Sequence, residues 1–226
     1  MRLIEFFFRL TNRSVTLAVL ASPHREQTIQ LLIHQFCARE PLCRILGLQI
    51  HEIENVFSTQ VDYFITQGLS TVAVDRKGDV CGVLTVEDHC SRFAPAPGRM
   101  DVTLQIINDL LDSLVLPASL EPTQMGELYY CGLAAVAPGH RLSGVILLMM
   151  IFKNYSHLKA KGFRRGYAKV TNARIGIQLE KLNRIFRRNI FTPISEISPA
   201  NFMVQNKFPL ATFRGTISLI TWLLPA

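Results

Sequence analysis

The sequence predicts an α+β fold, a mixed central β-sheet flanked by helices, and three observations carry that prediction. Short β-branched, apolar runs are interleaved with longer runs of helical period in the order β α α β β (α) β α β α β β. This is neither a strict β-α alternation nor a separation of strands from helices. Apolar residues fill 49% of the 226 positions and charged residues 18%, enough apolar mass for a core and too much for a disordered chain. One helical run, Val145 to Phe152, is apolar almost all round and must be covered on most faces, as a helix lying on a sheet is.

The elements follow in order. Residues 1–13 read as an N-terminal extension, and 14–226 as a single domain with a helical insertion around 89–125. Ser14 to Leu20 is a strand that ends at Ser22-Pro23, where Ser can cap a helix and Pro can take its first position. Ile29, Leu32, Ile33 and Phe36 then share one helical face, and Pro41 closes that helix by disfavouring the helical conformation at Glu40. A second helix covers Ile53 to Ile65. Ser70 to Val74 and Val80 to Val86 form a hairpin around Asp75 to Asp79, with Gly78 in the turn. Pro95, Pro97 and Gly98 mark 91–100 as a loop. After it comes an amphipathic helix with Ile107, Leu110, Leu111 and Leu114 on one side. Glu127 to Val136 is a strand stopped by Pro138-Gly139, and a long helix runs from Leu142 to Gly162. Gly166 to Thr171 is a strand, Ala173 to Leu182 a helix, and Ile185–Phe191 and Thr216–Leu224 are the last two strands.

Charge narrows the partners. The formal net charge is +7, but 151–190 holds 11 Lys or Arg against the single acid Glu180, so this segment carries about +10 and the rest is net negative. A polyanion, a phosphorylated cofactor or an anionic surface suits such a segment. Nucleic-acid binding would use it too, yet no recognisable DNA- or RNA-binding motif accompanies it, and no nucleic-acid partner is expected. The five cysteines are odd in number, widely spaced and free of C-x-x-C pairs, as in a cytoplasmic protein with reduced thiols. Neither they nor the six histidines show ligand spacing, so no metal is expected. The N-terminus is interrupted by Glu5, Arg9, Asn12 and Arg13, which leaves too short an apolar run for a secretion signal. No run approaches the ~20 apolar residues of a membrane span, and no membrane partner is expected.

The stretch that carries chemistry is Leu133 to Ile146, a strand, a tight turn and the start of a helix. Unpaired backbone N–H groups at a helix N-terminus, with Gly144 allowing close approach, would cradle a pyrophosphate. Spacing alone favours an ordinary strand-turn-helix junction, because neither G-x-x-x-x-G-K nor G-x-G-x-x-G is present.

The same stretch resembles the acetyl-CoA motif of the GNAT superfamily of N-acetyltransferases, a strand ending V-x-P followed by R/Q-x-x-G-x-G/A. Val136-x-Pro138 and Arg141-x-x-Gly144 match it in register. Gly162-Phe163, the strand to Thr171-Asn172, and Glu180-Lys-Leu182 are similar to the family's next strand and helix. Phe36-x-x-x-Glu40-Pro-Leu42, Leu46-Gly-Leu48 and Gly68 to Val74 are similar to the arylalkylamine (dopamine-type) branch. The resemblance spans roughly 14–224.

It implies a GNAT-like sheet with acetyl-CoA, as co-substrate, in the splay between two central strands. The pantetheine arm would pair with the backbone of Leu133, Ala134, Ala135 and Val136. The pyrophosphate would lie on the amides of Arg141, Leu142, Ser143, Gly144, Val145 and Ile146, with Asn172 beside the cofactor and a basic residue of 151–190 on the 3′-phosphate. A protonated amine must lose a proton before it attacks a thioester, so a general base is required. The resemblance assigns that role to Glu40, which by itself reads as a surface acid at a helix end, and places an oxyanion donor near Val136. The chain departs from the pattern at Ile146, where the family has Gly or Ala, at Ile175, where it has Ser, and at Asn183-Arg184, where it has Gly-Phe. With Ser absent at 175, Tyr130, Tyr155 and Tyr167 are the alternative proton donors. The acids Asp101, Asp109, Asp112, Glu121 and Glu127 can attract a cationic acceptor or simply face solvent. The expected activity is acetyl transfer to a small amine. The alternative is a non-catalytic acyl-CoA-binding module of the same fold, and a homodimer is open in either case.

Overall fold

The computed structural model of the chain describes residues 15–94, 101–138 and 143–224. The strands are β1 (Val15–Val19), β2 (Thr71–Asp75), β3 (Val80–Asp88), β4 (Leu128–Val136), β5 (Arg165–Val170), β6 (Thr192–Ile197) and β7 (Ile217–Leu223). They form one sheet in the order β1-β2-β3-β4-β5-β7-β6. Every neighbouring pair is antiparallel except β4 and β5, which run parallel, so the sheet is mixed as expected. The helices are α1 (Arg25–Arg39), α2 (Pro41–Leu46), α3 (Ile50–Gln67), α4 (Val102–Asp112), α5 (Ser143–Ala160) and α6 (Ala173–Phe186). No helix among the described residues is long and apolar enough to cross a membrane. The expected extension 1–13 and the Pro-rich part of the 91–100 loop lie outside the described residues.

Strand alternation sorts the core into two layers. Ala73, Leu84, Val86, Ile220 and Trp222 bury one face of the sheet under α5 and α6. Their neighbours Val72 and Val83 bury the other under α1 and α3, and Leu128, Tyr130, Tyr167 and Leu219 do so under α2 and α4. Because both faces are covered, β3 is buried at every position, and its stretch Val80 to Val86 reads as a near-continuous apolar run. Side chains also fix α5. The Asn154 amide, 2% exposed, donates to the Leu69 carbonyl (2.5 Å) and the Thr71 hydroxyl (3.1 Å), and His157 pairs with the Gly68 carbonyl (2.8 Å).

Four local readings are corrected. Ser22 does not cap α1; it lies inside a 3₁₀ turn, Ser22–His24, that leads into the helix. Pro41 ends α1 but also starts the six-residue α2, because Glu40 turns extended and its side chain caps the Cys43 amide. The helix expected at Ile53 begins at Ile50, where Glu52 reaches back to the Gln49 amide. Ile185–Phe191 is not a strand. The helix α6 runs to Phe186, Arg187 adopts a left-handed conformation (φ 51°), and Asn183 folds the chain back. Its Oδ1 accepts from the Ile190 and Phe191 amides (both 2.9 Å) and its Nδ2 donates to the Phe191 carbonyl (2.7 Å). The strand follows at β6, an edge strand where Pro193 is tolerated.

Candidate active site

The parallel pair opens at its centre. Leu128 to Cys131 pair with Arg165 to Ala168, and pairing stops there although β4 continues to Val136 and β5 to Val170. On its other edge β4 carries an extra residue against β3, since Leu84 opposes Ala134 while Val86 opposes Cys131. The Thr85 hydroxyl fills this bulge, accepting from the Leu133 amide (2.8 Å) and donating to the Leu133 carbonyl (3.3 Å). A bulge adds local twist and bend, which carries β4 away from β5. Beyond it the Ala137 amide donates to the Cys81 carbonyl (2.8 Å). Antiparallel alternation therefore aims the Ala135 backbone groups at β3, and those of Ala134 and Val136 at the side that β5 has left.

A cavity of about 1610 Å³ occupies this opening. Phe36, Phe57, Leu104, Ile107, Leu147 and Ile151 supply apolar wall, with Phe36 and Phe57 in edge-to-face contact at 5.3 Å. Its charged groups include Glu40, Glu87, Arg92, Asp112 and Lys169. Oε2 of Glu40 accepts from the Cys43 amide (2.8 Å), while its Oε1 is buried without a partner among the described residues. Glu87, 3% exposed on β3, accepts from the Phe93 amide through Oε2 (2.7 Å), and its Oε1 stands 3.6 Å from Arg92 Nε. Burial pushes the Glu87 carboxyl above the usual carboxylate range, against the pull of that amide and of Arg92. The Arg92 guanidinium carbon lies 4.5 Å from the ring centre of Tyr130, and its Nε is buried without a hydrogen bond among the described residues. Lys169 Nζ pairs with Asp112 (2.8 Å). Burial raises the Cys131 thiol to about 12, so it is not a poised nucleophile. Among the described residues no three His, Cys, Asp or Glu gather as metal ligands do.

The structure brings together Glu40, Leu133, Ala134, Ala135, Val136 and Asn172, all of which line the cavity. Asn172 caps α6, its Oδ1 accepting from the Arg174 amide (3.0 Å). Ser143, Gly144, Val145 and Ile146 form the first turn of α5, one turn before Leu147, and Gly144, Val145 and Ile146 do not themselves line the cavity. Gly144 is exposed, with open space where a Cβ would stand. Ile146 turns into the core at 1% exposure, its Cγ2 3.2 Å from where a Cβ on Gly82 would stand, so its side chain does not crowd the helix end. Arg141 and Leu142 lie outside the described residues. Among the tyrosines, Tyr130 and Tyr155 line the cavity with Ile175, whereas the Tyr167 hydroxyl pairs with His89 Nδ1 (2.8 Å).

Four of the five acids of 101–127 are engaged within the fold. Asp101 caps α4, Asp109 accepts from Gln105 (2.6 Å), Glu127 pairs with Arg165 (2.6 Å), and Asp112 is held by Lys169. Sequence reasoning missed Glu87 and Arg92. The one available signal was an acid ending the apolar run Val80 to Val86; Arg92 stands in a stretch that reads as loop.

No family model and no curated protein matches the sequence. Solved structures do. The C-terminal condensation domain of Ebony in complex with beta-alanyl-dopamine superposes with a TM-score of 0.80 at 12% identity, covering 92% of this chain and 98% of that one. Arylalkylamine N-acetyltransferase 2 from Aedes aegypti gives 0.71 at 14%, covering 93% and 99%. A GNAT superfamily phosphinothricin acetyltransferase from Sinorhizobium meliloti, in complex with AcCoA, gives 0.52 at 12%, covering 93% and 88%. The chain has the GNAT fold.

Proposed function

We propose that the protein transfers an acetyl group from acetyl-CoA to the amine of a small molecule by direct attack, with Glu40 as general base. The observation that carries this is that Glu40, one carboxylate oxygen of which is buried without a partner among the described residues, lines the same cavity as an unpaired strand edge. The residues fit acetyl-CoA. Ala134 and Val136 offer backbone groups of the kind a pantetheine amide pairs with, the first turn of α5 offers unpaired amides for phosphate, and the cavity exceeds the ~1,000 Å³ of ordinary cofactor sites. Bound there, acetyl-CoA supplies an activated thioester carbonyl.

The chain's own groups do the rest. The Cys43 amide holds one Glu40 oxygen, so the other keeps its aim and accepts the amine proton directly or through water. The Val136 amide, turned toward the opening, donates to the oxygen that gains charge as the N–C bond forms and the C–S bond breaks. Tyr155 stays protonated because burial raises its pKa, and meets the departing thiolate as a hydrogen-bond donor where Ile175 cannot. The raised Cys131 thiol argues against an acetyl-enzyme.

Acetyl-CoA at a hundred times its Kd should stabilise the protein by about 2.7 kcal/mol and lift Tm by roughly 5–10 °C. Dephospho-CoA should lift it less if the basic segment meets the 3′-phosphate. Glu40→Gln should keep that rise and lower kcat by at least about 10²-fold. Absence of a rise sinks the reading, and a rise without turnover by the wild type leaves the non-catalytic acyl-CoA-binding module.

A further inference from the structure

We infer that Arg92 anchors a carboxylate of the acceptor, so that the amine substrate is an amino acid or another amine bearing a carboxylate; this rests on the acetyl-transfer reading above. Arg92 follows a 3₁₀ turn (His89–Ser91) and enters the cavity between Glu87 and Phe93. Its guanidinium carbon packs against the ring of Tyr130, which in turn stacks on Tyr167 with centroids 4.8 Å apart. This contact engages the π-face, and Nε makes no hydrogen bond among the described residues.

Among the described residues the acid paired with Arg92 is Glu87, in a long ion pair without a hydrogen bond. The nearest carboxylate oxygen, Glu87 Oε1, stands at 3.6 Å from Nε, beyond hydrogen-bond distance, and its partner oxygen is taken by the Phe93 amide. The other acid facing this part of the cavity, Asp112, is held by Lys169 at 2.8 Å. A guanidinium whose buried Nε has no hydrogen bond among the described residues, in a largely apolar cavity, suits a carboxylate, whose planar pair of oxygens matches its fork. At the same time Glu40 keeps one unpartnered oxygen in the same cavity. A guanidinium held only by the long ion pair to Glu87, and a Glu40 oxygen without a partner among the described residues, with Phe36, Phe57 and Phe93 among the walls, complement a zwitterion with an apolar body better than a plain arylalkylamine.

The test uses matched acceptors: phenethylamine against phenylalanine, tyramine against tyrosine, and benzylamine against 4-(aminomethyl)benzoate, which moves the carboxylate to the far end. With the wild type, at least one carboxylate-bearing member should show kcat/KM roughly 10-fold or more above its plain partner, and should raise Tm without acetyl-CoA. Arg92→Gln and Arg92→Lys should cut that ratio by roughly 10–100-fold, mainly through KM of the acceptor. Plain amines equal to or better than their carboxylates in every pair overturn the proposal. So does an Arg92→Gln variant that raises KM for acetyl-CoA and leaves the ratio unchanged, which would assign the guanidinium to a cofactor phosphate. If acetyl-CoA neither binds nor turns over, the acetyl-transfer reading fails by itself. The acceptor-induced Tm rise, present in the wild type and lost in both variants, still decides the anchor.

Discussion

Glu87 is an acid at the centre of a sheet, 3% exposed, and burial raises its pKa. A carboxyl that binds its proton more tightly when folded favours the folded state below its unfolded pKa. That contribution is lost as pH rises through the folded value. Glu87→Gln removes the titration, so the Tm of the variant minus that of the wild type should grow as pH rises from about 4 to about 7; a difference that shrinks would mean the pairing with Arg92 outweighs burial. Tyr155→Phe should lower kcat by a few-fold to about 10²-fold and leave the acetyl-CoA thermal shift intact, and an unchanged kcat would remove Tyr155 from the reaction. Glu40 was legible in sequence only through resemblance, because its local signature is that of a cap and nothing nearby reveals which cavity its second oxygen meets. Arg92 was not legible at all. Its role depends on the ring of Tyr130, 38 positions away, and no local pattern encodes that meeting.

Gly166 marks the tightest point of β5. A Cβ there would stand 2.7 Å from Trp222 Cε2 and closer still to the ring of Tyr129, whose hydroxyl accepts from the Trp222 indole. These rings lie across the strand where the parallel pairing with β4 still holds. Gly166→Ala should cost about 1–3 kcal/mol of overpacking strain and lower Tm by roughly 2–10 °C, read in a thermal melt; an unchanged Tm would mean that the rings can shift. Elements with strong period or clear punctuation, such as the β2–β3 hairpin, β4 and α5, were readable from residue order. The 185–191 stretch was not, because Asn183 supplies from its side chain the hydrogen bonds that a ladder would otherwise give.

For the whole molecule, most of the positive segment lies exposed, with Lys153, Lys159, Lys161 and Arg164 on α5 and the turn after it. Arg165 and Lys169 are neutralised by Glu127 and Asp112, while Arg174, Lys181, Arg187 and Arg188 stay exposed on α6 and the turn after it. If this face meets cofactor phosphate, raising salt from about 50 to 500 mM should weaken acetyl-CoA binding several-fold and dephospho-CoA binding less, measured by titration. Equal slopes would move the phosphate contacts elsewhere. The mixed sheet and its flanking helices followed from composition and element order. The placing of β7 between β5 and β6 did not, since pairing order between late strands leaves no mark on either strand alone. The opening between β4 and β5 also has a signature in time. In a nine-residue strand, every second amide past the bulge lacks a ladder partner, so Ala134 and Val136 should exchange their amide protons with solvent at loop-like rates while Ala135 between them is slow. The centre of the sheet then behaves as a comb with missing teeth, and a ligand that completes the ladder should be seen as the sudden slowing of those two protons.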